Sequence, residues 1–123
     1  MNRIEFDVSK TGLNAVLKHW QLKAMRVVWN SPEGANSRTV WIETNKALKT
    51  DTISRASIIN FLNDMKELGV LTGDDRTGKG GHHWIYKAAM DEAGFKRFIA
   101  STLLESLMRD FPEETKAALN QLR

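Results

Sequence analysis

With 123 residues, 41% of them hydrophobic and 27% charged, the chain has the make-up of a globular protein long enough for one domain with a core and a short appendage. It contains no cysteine, which excludes disulfides, thiolate metal sites, iron–sulfur clusters and cysteine nucleophiles and leaves three histidines as the only soft ligands. A net charge of +3 is too mild to name a partner, so the placement of the charges must carry any argument about nucleic acid. No apolar run approaches the roughly 18 residues of a membrane span. Met1 to Lys10, "MNRIEFDVSK", mixes acidic with apolar residues and lacks the apolar block of a signal peptide, so the expected location is the cytoplasm.

From Thr11 to Trp29, Leu13, Val16, Leu17, Trp20, Ala24 and Val28 recur at helical spacing, with Leu22, Met25 and Trp29 widening the stripe. This predicts one long helix or two short ones. "NSPEGANS" breaks the pattern, and Asn36 or Ser37 can cap a second helix through "RTVWIETNKAL", whose buried side is Val40, Trp41, Thr44, Ala47 and Leu48. After the polar turn "KTDT", Ser54 is the expected N-cap of a third helix. Ile58, Phe61 or Leu62, Met65 and Leu68 form its apolar stripe, and Gly69 is its left-handed C-cap. Its other face carries Arg55, Ser57, Asn60, Asn63 and Asp64. "VLTGDD" and "HHWIYKA" read as short strands on either side of "RTGKGG", a glycine-rich hairpin tip. Beyond Met90 the helical period returns in Phe95, Phe98, Ile99, Leu103, Leu104, Leu107, Met108 and Phe111, and Pro112 with Glu113 and Glu114 marks a fresh helix start.

Three helices, a two-stranded hairpin and two more helices make a mostly α chain with a small β-hairpin. The order matches a winged helix-turn-helix domain over residues 1–88, with an N-terminal extension over 1–17, followed by a helical dimerisation region over 89–123. In such a domain the second helix of the motif needs an apolar back and a small, polar or basic front at its start, and Ile53 to Leu68 supplies both. Arg55, Ser57, Ile59 and Asn60 are the expected base contacts: Arg can be bidentate to guanine, Asn to adenine, Ser can serve base or phosphate, and Ile can meet a thymine methyl. Arg38, Arg76, Lys79 and His82 are the expected phosphate and wing contacts, since a hairpin tip has no core to use its cations. The wide apolar arc from Phe95 to Phe111 exceeds what packing on one domain needs, and a second copy of the chain is the simplest cover.

The same residues carry a family resemblance. "ISRASIINFLNDMKELGVL" resembles the recognition helix and following strand of the multiple-antibiotic-resistance-type regulators. "LKAMRVVWNSPEGANSRTVWIETNKAL" is similar to the penicillinase-repressor family, in which a methionine, an apolar pair and a tryptophan precede a loop and a second helix. The likeness covers Leu22 to Lys87, and more loosely the helical tail. It implies a homodimeric transcriptional repressor that binds palindromic operator DNA through Arg55, Ser57, Ile59 and Asn60, with Asp74 to Gly81 as the wing. The chain departs from the family in lacking the cysteine-rich C-terminus of its copper-responsive members and any motif for proteolytic inactivation, and its turn between second and third helices is longer than minimal.

Two other functions compete. Asp74–Asp75, His82–His83 and His19 are the best candidates for an enzyme, but adjacent strand residues point to opposite faces, so no catalytic or metal site is expected, and no cofactor. A winged helix used for protein–protein contact would need an apolar front, where Ile59 is the only large apolar residue. Trp20, Trp29, Trp41 and Trp84 each lie in an apolar stripe or strand and are expected in the core. The sequence names no small-molecule effector.

Overall fold

The stripe from Thr11 to Trp29 becomes two short pieces in the computed structural model, which describes residues 4–78 and 81–123, the side chains at 77, 78, 81 and 82 excepted. A 3₁₀ turn, Gly12–Ala15, starts on a glycine at φ +58°, and the helix α1, His19–Trp29, follows it. Between them Lys18 is extended, and its N–H donates to the Gln21 side chain at 2.8 Å, so the new helix starts with one of its free ends satisfied. The second helix, α2 (Ser37–Leu48), is capped by Asn36, whose Oδ1 accepts the Thr39 N–H at 2.8 Å. The third, α3 (Arg55–Glu67), is capped by the Ser54 hydroxyl, which accepts the Ser57 N–H at 3.1 Å.

Gly69, at φ +82°, closes α3 as expected. Its N–H donates to the Lys66 carbonyl and that of Val70 to the Met65 carbonyl, both at 3.0 Å, while buried Met65 and Val70 bracket the turn. The chain then enters β2 (Leu71–Gly78) and returns as β3 (Gly81–Ala88), antiparallel in a register that pairs Gly73 with Tyr86, Asp75 with Trp84 and Arg76 with His83.

The expected hairpin gains a third strand. β1 (Ala35–Asn36) pairs with the far edge of β3, giving the order β1-β3-β2. Two residues are too few for a period-2 signal, and this strand exists because β3 offers an open edge. Gly34 lets the loop approach that edge: it sits at φ +91°, and a Cβ there would lie 2.6 Å from the Ile85 side chain.

The chain divides into two compact units, Met1–Asp91 and Glu92–Arg123. The first is built around Ala24, Met25 and Val28 of α1, Val40 of α2, Ile58 and Leu62 of α3, and Val70, Leu71 and Tyr86 of the sheet region, all nearly or wholly buried. Trp20 meets Phe61 edge-on at 5.5 Å. The second unit holds α4 (Glu92–Asp110) and α5 (Pro112–Gln121). Proline at the first position of α5 has no N–H to continue α4, and the break is secured by the Thr115 hydroxyl, which donates to the Leu107 carbonyl at 3.2 Å. No helix among the described residues is long and apolar enough to cross a membrane.

Candidate nucleic-acid interface

At 100° per residue, the buried side chains Ile58, Phe61, Leu62 and Met65 occupy one side of α3 and leave Ala56, Ile59, Asn60 and Asn63 on the other, while Arg55 lies at the edge of the buried side and is exposed because it is the first residue of the helix. Asn63 is not free: its Oδ1 accepts the Tyr86 hydroxyl at 2.8 Å, tying the middle of the helix to β3. The open part of the front is therefore its N-terminal end. Arg55, Ala56 and Asn60 are exposed there, and Ser57 and Ile59 are half-buried. Ser57 is partly committed to the cap, because its Oγ accepts the Ser54 hydroxyl at 3.0 Å while its N–H donates back.

The entry to that end is held by contacts the sequence did not reveal. The Ile53 carbonyl accepts both the Trp41 indole N–H at 2.9 Å and the Asn45 side-chain amide at 3.1 Å, and the Ile53 N–H donates to Asn45 Oδ1 at 2.8 Å. Three hydrogen bonds from one face of α2 thus grip the residue just before the Ser54 cap. An asparagine and a tryptophan four residues apart on a helix are compatible with such a clamp, but the partner carbonyl lies in an irregular turn that periodicity does not describe.

The expected phosphate contacts are spread over two places. Arg38 is exposed in the first turn of α2. Arg76 is exposed on β2, with its Nε 3.2 Å from Asp74 Oδ2, an exposed pair of the kind a phosphate can exchange at little cost. Lys79 lies outside the described residues, and of His82 only the backbone position in β3 is described, opposite Thr77. His83 is exposed across the ladder from Arg76. Asp74 and Asp75 alternate between sheet faces, and no group of three or more potential metal ligands gathers among the described residues.

None of the four tryptophans is fully buried, against the expectation that they are core, and one lies at the surface. Trp20, Trp29 and Trp41 are half-buried, whereas Trp84 is 40% exposed, with the Lys66 ammonium 3.8 Å from its ring centroid. β3 presents alternate side chains to the two faces of a small sheet: Tyr86 is buried and bonded to Asn63 of α3, whereas Trp84, two residues nearer the hairpin end on the same face, meets the Lys66 side chain and stays exposed.

Two further concavities complete the surface. Residues 5–8, 10, 14–19 and 21 line an open depression of about 980 Å³; at its Asp7 the Ser9 hydroxyl and N–H both donate to the carboxylate and hold its pKa below the ordinary value. In the second unit, Leu104 and Leu107 of α4, Phe111 between the helices, Leu119 of α5 and Leu122 just after it line an apolar groove of about 390 Å³. Of the expected association residues, Leu104, Leu107, Met108 and Phe111 are exposed, Phe98 and Leu103 are half-buried, and Phe95 and Ile99 are buried. Compared with known protein families, curated proteins and solved structures, the chain matches none.

Proposed function

We propose that the chain is a sequence-specific double-stranded DNA-binding transcriptional regulator of winged helix-turn-helix type, acting as a homodimeric repressor on a palindromic operator in the cytoplasm. The observation that carries this reading is the free N-terminal end of α3. Arg55 and Asn60 stand exposed on a helix whose back is fully buried, whose middle is tied to β3 and whose entry is gripped by three hydrogen bonds. An end so rigidly held and so free of packing duties suits insertion into a major groove, where bidentate partners for both residues exist on base edges. Arg76 on the hairpin and Arg38 at the start of α2 supply phosphate contacts on either side. The exposed leucines and Phe111 of the second unit supply the dimer surface, and a two-fold dimer reads an inverted repeat.

Selection of bound sequences from random duplex DNA, followed by titration at several salt concentrations, tests the proposal. The expected result is an enriched inverted repeat and an affinity that falls steeply with salt. No enrichment, with salt-independent or absent binding, moves the alternative ahead: a winged helix used for protein contact, favoured by the exposed Trp84 and by Ile59 on the front of α3.

A further inference from the structure

Lys66, Gly73 and Trp84 come from α3, β2 and β3 and meet at one point. The Lys66 ammonium stands 3.8 Å from the centroid of the Trp84 ring. Its stem runs over Gly73, where a Cβ would come within 2.6 Å of Lys66 Cδ and 3.2 Å of Trp84 Cε3. A Cβ there would displace the lysine stem from its present path and crowd the indole, so residues of three elements share this contact. Gly73 and Trp84 share a sheet face with Tyr86, whose hydroxyl donates to Asn63, one helical turn before Lys66. The hairpin is therefore joined to α3 at two points, and Trp84 stands two residues nearer the hairpin end than Tyr86.

A direct role for Lys66 in the groove is excluded by distance. It lies eleven residues after Arg55, about 16 Å farther along the helix axis, at the end away from the exposed front. What its cation can do is hold the indole, since an ammonium over a tryptophan face is attracted by the ring quadrupole.

We infer that the Lys66–Trp84 contact is a latch that sets the cant of the hairpin against α3 and, resting on the DNA-binding reading above, fixes the reach of Arg76 to a backbone phosphate. Lys66, Gly73 and Trp84 are positioning residues in this arrangement. The closing bond is weak enough to be broken by one substitution, and the hairpin beyond it carries the cation whose placement would change.

The test uses the full chain in four variants, with Arg76→Ala as the comparator. Trp84→Leu and Gly73→Ala leave every charge in place, Lys66→Met keeps the stem without the ammonium, and Lys66→Arg retains a cation. In the parent, the Lys66 ε-methylene protons should resonate upfield under the indole ring current, and Trp84→Leu should abolish that shift. In DNA titrations, Trp84→Leu, Gly73→Ala and Lys66→Met should each lower the salt slope by the amount Arg76→Ala lowers it, about one per subunit, while Lys66→Arg keeps the parental slope. Melting curves identify the folded variants, and Trp84→Leu decides if Gly73→Ala does not fold. A free-lysine chemical shift in the parent, or a parental slope in folded Trp84→Leu, overturns the latch. A parent that binds no duplex overturns the functional reading instead, and the ring-current shift alone then decides whether the latch exists.

Discussion

Arg55 and Asn60 sit on the same helix as Ile58 and Leu62, yet the two pairs differ wholly in burial, so substitution separates recognition from stability. Arg55→Ala and Asn60→Ala should leave the melting curve within about 0.5 kcal/mol of the parent. Each should cost about 1–3 kcal/mol of binding per half-site and relax the preference at particular base pairs. Titration against matched and scrambled duplexes reads this directly, and parental discrimination by both variants would mean that the front of α3 does not read bases. Tyr86 gives a residue-scale prediction independent of DNA. Burial raises its phenol pKa above the ordinary value, and the neutral hydroxyl donates to Asn63. A folded-state pKa above the unfolded one stabilises below the unfolded value, about 10, and that contribution is lost as pH rises toward the folded value. Tyr86→Phe should cost about 1 kcal/mol at neutral pH, and the gap to the parent should close as pH climbs past about 10. Urea titrations of both proteins between neutral pH and the alkaline range measure it, and a constant gap would show that the phenol is not shielded.

At the scale of the element, α3 depends on how it is seated and how it is entered. Ile58 is fully buried, and Ile58→Ala should lose about 2–5 kcal/mol of stability by opening a core cavity. DNA binding should then fail only where the fold fails. Asn45 is different, because it holds the Ile53 N–H and shares the Ile53 carbonyl with Trp41. Asn45→Ala strands that N–H and should cost about 1–3 kcal/mol of stability. With the entry to α3 loosened, specific binding should fall further than stability does, at temperatures where the variant is folded. Comparing melting and binding for Ile58→Ala and Asn45→Ala distinguishes a helix that is merely destabilised from one that is mispositioned. Equal loss of binding at equal residual stability would remove the orienting role of the clamp.

For the whole molecule, the proposed dimer rests on the exposed apolar side chains at the C-terminal end of α4 and along α5. Leu104, Leu107, Met108, Phe111, Leu119 and Leu122 are all exposed, and all but Met108 line an apolar groove. Glutamate at Leu107 and Phe111 together should cost about 2 kcal/mol or more of association, as loss of central apolar anchors does, and yield a monomer in sedimentation at micromolar concentration. A monomer binds one half-site at a time, so its affinity for an inverted repeat should drop to that for an isolated half. An intact parent that sediments as a monomer at the same concentration would remove the dimer.

Caps and stripes were legible because they act over one or two turns. Asn36, Ser54, Gly69 and Pro112 each do locally what their residue types predict, and Ile58, Phe61, Leu62 and Met65 are buried as their spacing requires. The exposure of Ala56 and Asn60 followed from the same pattern, since they lie opposite the stripe, whereas Arg55 is exposed because the helix starts there. The tertiary structure decided the features that need two distant segments. β1 exists only because β3 leaves an edge beside Gly34. Ile53 is gripped only because α2 turns Trp41 and Asn45 toward it. Trp84 lies at the surface, against the expectation that an aromatic on an apolar strand is core: it stands two residues nearer the hairpin end than the Tyr86–Asn63 bond, with the Lys66 ammonium against its ring. Periodicity states which side of an element is apolar, but how far a neighbouring element extends over that side is a property of the assembled chain.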